Sequence, residues 1–297
     1  MPDIVEFRKR CAIVLAPWEL AELKLSGKTA GVGEAPAGHG RYIIKYELSD
    51  QHLKVALNME DCRVEETLPL HVLENFSPKR STYMIRQGGL QPIELRGSSY
   101  YKLVPTVKGS YPTLEINGIH MHRVSGTDPL HDTIAKVSAA RIRRGDIVLD
   151  TCMGLGYTAV HSVRRGATRV LTVEVDDNVI EISRLNPWSW GLEDPRITVV
   201  HADVTELIKD FGSGEFTKII HDPPRITKTT GELYSLEFYK QLYRVMRRGG
   251  ILFHYTGEPG RKHGANFPGR IAGRLKRVGF HILRYDRRAL GLIAIKD

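Results

Sequence analysis

Cysteine is scarce in this chain, with three in 297 residues. Cys11, Cys62 and Cys152 are far apart and lack metal-ligand spacing. The pattern excludes a dense disulfide framework and a thiolate zinc site, and it predicts free thiols in a reducing compartment. Long apolar runs are absent too, none approaching the roughly 18 residues of a membrane span. The apolar stretch Cys11 to Ala16 is cut short by Pro17 and Glu19, too early for a signal peptide. The expectation is a cytoplasmic protein with no membrane partner. A third scarcity is local. From Lys240 onward there are only 3 acidic residues against 14 Lys/Arg, a balance of +11 in a chain of net charge +9. Arg270, Arg274 and Arg277 recur at helical spacing on one face of a helix predicted over Phe267 to Val278, and Arg284, Arg287 and Arg288 follow. Excess positive charge gathered in one region suits a polyanion, and RNA is the expected partner.

What the chain does have is a change of pattern along its length. Pro17 opens a short helix, and Gly27 to Gly40, with five glycines, reads as a mobile loop. From Arg41 to about Val124 the pattern is β-like. Tyr42 to Leu48, His52 to Leu57, Thr82 to Arg86, Tyr100 to Val104 and Thr113 to Ile116 are the candidate strands. Beyond them, apolar strands alternate with helical segments, the signature of a parallel α/β sheet. The expected division is a β-rich domain over 1–112 and an α/β domain over 113–297. His120, His122 and His131 lack the company to complete a metal site, so no metal is expected.

Within the α/β half, Val148-Leu149-Asp150-Thr151-Cys152-Met153-Gly154-Leu155-Gly156-Tyr157 reads as a buried strand, a Gly-x-Gly turn and a helix start. Glycine lets backbone approach a ligand closely and adopt positive φ. A second strand ends in Glu174-Val175, about 20 residues past Gly154, where one strand–helix–strand step returns a carboxylate to a ribose diol. A third ends ahead of Ala202-Asp203-Val204, and Asp203 doubles as a helix N-cap candidate. A fourth, Ile219-Ile220-His221, runs into Asp222-Pro223-Pro224-Arg225. Ligands bind parallel sheets at the carboxyl ends of the strands, so Asp150, Glu174, Asp203 and Asp222 would share one rim. Two prolines make a stiff exit that donates no N–H. The Asp222 carboxylate and nearby carbonyls can then accept hydrogen bonds from an amino group laid on that shelf, favouring the pyramidal nitrogen that attacks an electrophile.

With these four ordered motifs the chain resembles the class I S-adenosylmethionine-dependent methyltransferases over roughly residues 113–297. The resemblance implies a Rossmann-like seven-stranded α/β fold, whose closing strand pair reads as His281 to Tyr285 and Leu290 to Ile295; apolar spacing makes Leu233 to Met246 a helix, ended by Gly249-Gly250. The same resemblance implies S-adenosyl-L-methionine as cofactor. Asp150, Thr151, Cys152, Met153, Gly154 and Gly156 would shape the methionine side, Glu174 and Val175 the ribose site, and Asp203 and Val204 the adenine site. Asp222, Pro223, Pro224 and Arg225 would form the catalytic shelf. In amine-methylating relatives the fourth shelf position is usually aromatic. Arg225 departs from this, although a guanidinium plane also stacks on bases. Arg123, Ser125 or Thr127 could meet the methionine carboxylate, or Thr127 and Asp128 could simply cap the next helix. Asn186-Pro187-Trp188-Ser189 further resembles a group of predicted archaeal methyltransferases. That implies N4 methylation of a ribosomal RNA cytidine, once or twice. The alternatives are an aminopropyltransferase using the decarboxylated cofactor, whose cationic substrate the basic tail disfavours, and a non-catalytic RNA-binding assembly protein.

Overall fold

The computed structural model describes residues 3–26, 31–49, 51–77, 79–257 and 266–297. These divide into two compact units. The first unit comprises 1–7, 131–177 and 191–297, and the second 8–130 and 178–190. The expected division at 112/113 differs from this because strand pairing decides membership. Thr113–Ile116 pairs with Tyr100–Val104 and stays with the β-rich unit. Asp3–Val5 adds antiparallel to Ile197–His201 and joins the other.

The α/β unit is built on an eight-stranded sheet in the order Asp3–Val5, Ile197–His201, Arg169–Glu174, Ile147–Asp150, Phe216–His221, Met246–Tyr255, Gly291–Lys296, Phe280–Asp286. The five central strands run parallel, and Gly291–Lys296 is antiparallel to its neighbours on both sides. Seven strands match the expected Rossmann-like methyltransferase sheet. The eighth, Asp3–Val5, is an unforeseen edge strand. Chain order reverses between Ile147–Asp150 and Phe216–His221, and such a switch point opens the crevice in which an open α/β sheet binds ligands. Register sets Asp150 opposite Thr172 and Ile220, Glu174 opposite His201, and His221 opposite His254. One rim therefore collects the strand ends. Beneath it, Leu149, Val173, Ile219 and Leu252 pack with Phe238, Leu242, Ile271 and Leu275 from the helices Leu236–Val245 and Phe267–Val278.

The predicted helix from Leu233 starts later than expected. Gly231–Tyr234 is a 3-10 turn, and Ser235 then caps Leu236–Val245 by accepting from the Phe238 N–H at 3.0 Å. Gly249 and Gly250 lie inside the next strand rather than ending the helix.

The β-rich unit holds three antiparallel sheets. One is the meander Gly31–Ala37, Tyr42–Leu48, His52–Met59, Cys62–Pro69. Reading 27–40 as a loop was therefore wrong from Gly31 to Ala37; positions 27–30 lie outside the described residues. The glycine that suggested a loop has a packing role, since a Cβ on Gly33 would lie 2.5 Å from the Tyr46 hydroxyl on the paired strand. The expectation of three free thiols is corrected as well. Cys11 and Cys62 pair as a disulfide across 5.6 Å between Cα atoms, and Cys152 alone is free. Tertiary packing brings together residues 51 apart in sequence, which no spacing rule could show. The cysteine pattern thus loses its force as an argument for a reducing compartment. Among the described residues no helix is long and apolar enough to cross a membrane.

Candidate active site

Asp150 ends its strand fully buried. Its Oδ2 accepts from the Thr158 and Thr172 hydroxyls, both at 2.9 Å, while its Oδ1 has no partner among the described residues. A buried carboxylate oxygen left unsatisfied is costly, and it marks a place where a polar ligand group fits. Burial pushes the Asp150 pKa up to about 7, against the lowering effect of the two hydroxyls. Gly154 and Gly156 both have positive φ. At Gly156 the constraint is internal, because a Cβ would meet the Leu192 side chain at 2.6 Å. Thr151 and Met153 tie the turn to its neighbouring strands, donating their N–H groups to the Ile220 and Val173 carbonyls.

Glu174 turns back over the same turn. Its Oε2 accepts from Gly154 N–H at 2.9 Å, and its Oε1 from Val175 and Asp176 N–H at 3.0 and 3.1 Å. The acid at the second strand end and the glycine turn are thus one hydrogen-bonded unit. Burial raises its pKa to about 7 as well, opposed by those N–H donors. The Val175 side chain is exposed. Asp203 is the N-cap of Val204–Leu207, its Oδ1 accepting from Thr205 N–H at 2.8 Å and the Thr205 hydroxyl at 2.7 Å, with Val204 buried behind it. Cys152 is half-buried, and burial holds its pKa well above the ordinary thiol value, so it carries no thiolate.

The shelf leaves the sheet as expected, with Pro223 buried and Pro224 and Arg225 exposed. Two hydrogen bonds brace it: the Tyr234 hydroxyl donates to the Pro224 carbonyl at 2.7 Å, and Thr230 to the Arg225 carbonyl at 2.6 Å. Asp222 itself accepts from Lys136 Nζ at 2.7 Å, and the same ammonium holds Asp132 at 2.7 Å. Below lie two buried histidines. The Leu233 carbonyl needs the proton on His221 Nε2 (3.0 Å), leaving Nδ1 to accept from Thr151 at 2.8 Å. His254 donates from Nδ1 to the Tyr255 carbonyl and accepts at Nε2 from Tyr239, both at 2.8 Å. Burial depresses both pKa values, that of His254 to about 4, so both are neutral. None of Lys136, Asp132, His254 and Tyr239 was predicted. The Asp132/Lys136 spacing of four on a mostly apolar helix was the one available signal.

Of the remaining sequence candidates, His131 belongs to the α/β unit and those from His120 to Asp128 to the β-rich unit. Arg123, Ser125 and Thr127 are there, and Asp128 rather than Thr127 caps the helix, accepting from Leu130 N–H at 3.0 Å. His120 pairs with Glu115, and His122 with Thr113.

Residues 136–264 match the Spermine/spermidine synthase domain family. An uncharacterized protein of Methanocaldococcus jannaschii is 45% identical over 215 residues, covering 72% of this chain and 73% of that protein. The chain belongs to that protein's family, and its α/β unit carries a spermidine synthase-like domain. The solved spermidine synthase of Thermotoga maritima superposes with a TM-score of 0.52 at 21% identity, over 69% of this chain and 72% of that one, which establishes the fold. Over shorter spans this chain is 26% identical to two further proteins. One is ribosomal RNA large subunit methyltransferase I of Aeromonas hydrophila (40% of this chain, 32% of that protein). The other is putrescine N-methyltransferase 4 of Nicotiana tabacum (47% and 37%).

Proposed function

We propose that this chain is an S-adenosyl-L-methionine-dependent N-methyltransferase acting on an exocyclic amino group of RNA, with ribosomal cytidine N4 the leading target. S-Adenosyl-L-methionine, when bound, supplies a methyl group made electrophilic by the sulfonium. Asp150, with its unpartnered buried oxygen, and the turn from Thr151 to Gly156 would hold the methionine side. Glu174 with Val175 would hold the ribose hydroxyls, and Asp203 with Val204 the adenine edge. Asp222 and the shelf carbonyls accept from the amine N–H groups and turn the nitrogen lone pair toward the methyl carbon, so the residues act by alignment and electrostatics.

The observation that carries the RNA reading is a short chain of hydrogen bonds. Arg274, on the exposed basic face of Phe267–Val278, donates from Nη1 to the Tyr234 carbonyl at 2.7 Å, and the Tyr234 hydroxyl donates to the Pro224 carbonyl at 2.7 Å. The arginine helix is thus coupled to the shelf itself, where a phosphate backbone would have to pass to deliver a base. A second reading, transfer to a polyamine as in aminopropyltransferases, is favoured by the domain match and by the putrescine methyltransferase likeness. Against it stand the exposed Arg225 on the shelf and the Lys136 ammonium on Asp222, two cations where a polycation would dock.

Methyl-labelled S-adenosyl-L-methionine offered with unmodified ribosomal RNA, followed by nucleoside mass spectrometry, tests the proposal. Label is expected in a methylated cytidine, and Asp222→Ala should lower transfer at least about a hundredfold while cofactor affinity holds. Label confined to polyamines would replace RNA with the second reading.

A further inference from the structure

Lys136 is 5% exposed at its side chain, in a helix whose other charged member at this spot, Asp132, is 1% exposed. An ammonium with three donors could be satisfied by Asp132 alone together with backbone or hydroxyl groups of its own helix. Instead it reaches off the helix to Asp222 at a distance equal to that of its i,i+4 partner. Of the three side chains Asp222 is the accessible one, at 22% exposure, so the cluster runs from the buried helix outward to the shelf. The Tyr255 ring lies 4.7 Å from the ammonium and closes another side. Burial works against the charged ammonium, but Asp222 and Asp132 outweigh it and hold the Lys136 pKa above the ordinary lysine value. The lysine therefore remains a cation throughout the physiological range.

We infer that Lys136 is the positioning residue of the shelf: it fixes the Asp222 carboxylate in one orientation and keeps it an ionised acceptor rather than a proton-taking base. The inference rests on Asp222 receiving the amine. In the transfer, the nitrogen lone pair forms the N–C bond while the C–S bond breaks with its electron pair remaining on sulfur. The resulting ammonium then loses one proton to water, and Asp222, already paired to a cation, keeps its hydrogen bond throughout. The ionisable groups near Asp222 include Lys136 and Asp132 from the helix, Asp150 and Cys152 from the glycine turn, and Tyr234 below the shelf. Removing the Lys136 ammonium would take from Asp222 and Asp132 the cation they share.

The test is steady-state methyl transfer by the full chain, with unmodified RNA and putrescine both offered as acceptors, for wild type, Lys136→Met, Lys136→Gln and Lys136→Arg. The neutral variants should lose at least about tenfold in kcat, with acceptor KM and S-adenosylhomocysteine affinity within about threefold, and Lys136→Arg should recover most of the loss. Their kcat should also fall more steeply than that of wild type as pH is lowered. A neutral variant that binds S-adenosylhomocysteine and keeps wild-type kcat and pH profile overturns the inference. If both neutral variants fail to bind it, Lys136→Arg decides, since it keeps a cation on Asp222. Its kcat should stay within about threefold, and a tenfold fall overturns the inference. The same pattern read on putrescine would sink the RNA proposal and leave Lys136 in place. No label in either acceptor from wild type sinks both.

Discussion

Replacing Asp150 by asparagine keeps its shape and removes its charge, and the consequence depends on pH in a calculable way. The wild-type carboxyl is fully buried and its pKa stands near 7, against an ordinary value of 3.8. A folded-state pKa above the unfolded one means that the folded protein holds the proton more tightly. The stability this contributes is complete below the unfolded pKa and is lost as pH rises through the folded one. Between about pH 5 and pH 8 the loss from this one group is up to about 3 kcal/mol, an upper bound because local relaxation and water entry soften burial. Asp150→Asn cannot lose that contribution. Calorimetric melting without cofactor should therefore show the variant less stable than, or level with, wild type near pH 5, and gaining on it steadily toward pH 8. Added S-adenosylhomocysteine should stabilise wild type more than the variant, because Asp150 Oδ1 has no partner among the described residues. A stability difference between the two proteins that stays constant across this range would refute the argument.

Two other consequences are open to measurement. Arg270→Glu with Arg274→Glu should weaken RNA binding and flatten its salt dependence by about one unit of slope per lost phosphate contact, as read by fluorescence anisotropy, while S-adenosylhomocysteine binding is unchanged. Tyr239→Phe leaves the buried His254 Nε2 without its donor, so thermal stability should drop by about 1–3 kcal/mol as read by calorimetry, with Tyr234 and the shelf above it still in place.

The motifs of the strand-end rim were readable because each depends on local backbone chemistry. A glycine turn after an apolar strand, an acid one strand later and a proline pair at a strand exit each follow from φ, ψ and spacing, and their order along the chain implies the parallel sheet. Asp203 carried two readings in the sequence, and the structure shows the cap. Gly33 and Gly156 show the limit of the same logic. Glycine signals permission, yet the reason for it is the Tyr46 hydroxyl in one case and the Leu192 side chain in the other, both supplied by other elements. Gly31–Ala37 was lost for that reason, as was the Cys11–Cys62 pair, which only tertiary packing brings together.

By itself the sequence determined the alternation of apolar strands and amphipathic helices, the Gly-x-Gly turn, the strand-end carboxylates and the basic C-terminal region. Periodicity, turn chemistry and charge are local quantities, and they survive without knowledge of partners. Only the tertiary structure decided how those carboxylates differ. Asp150 is buried with one oxygen unsatisfied, Glu174 is wound into the glycine turn, Asp203 caps a helix, and Asp222 is held by a lysine 86 residues earlier in the chain. The physical reason is that desolvation and ion pairing depend on which distant groups close over a side chain, and that is a property of packing rather than of spacing.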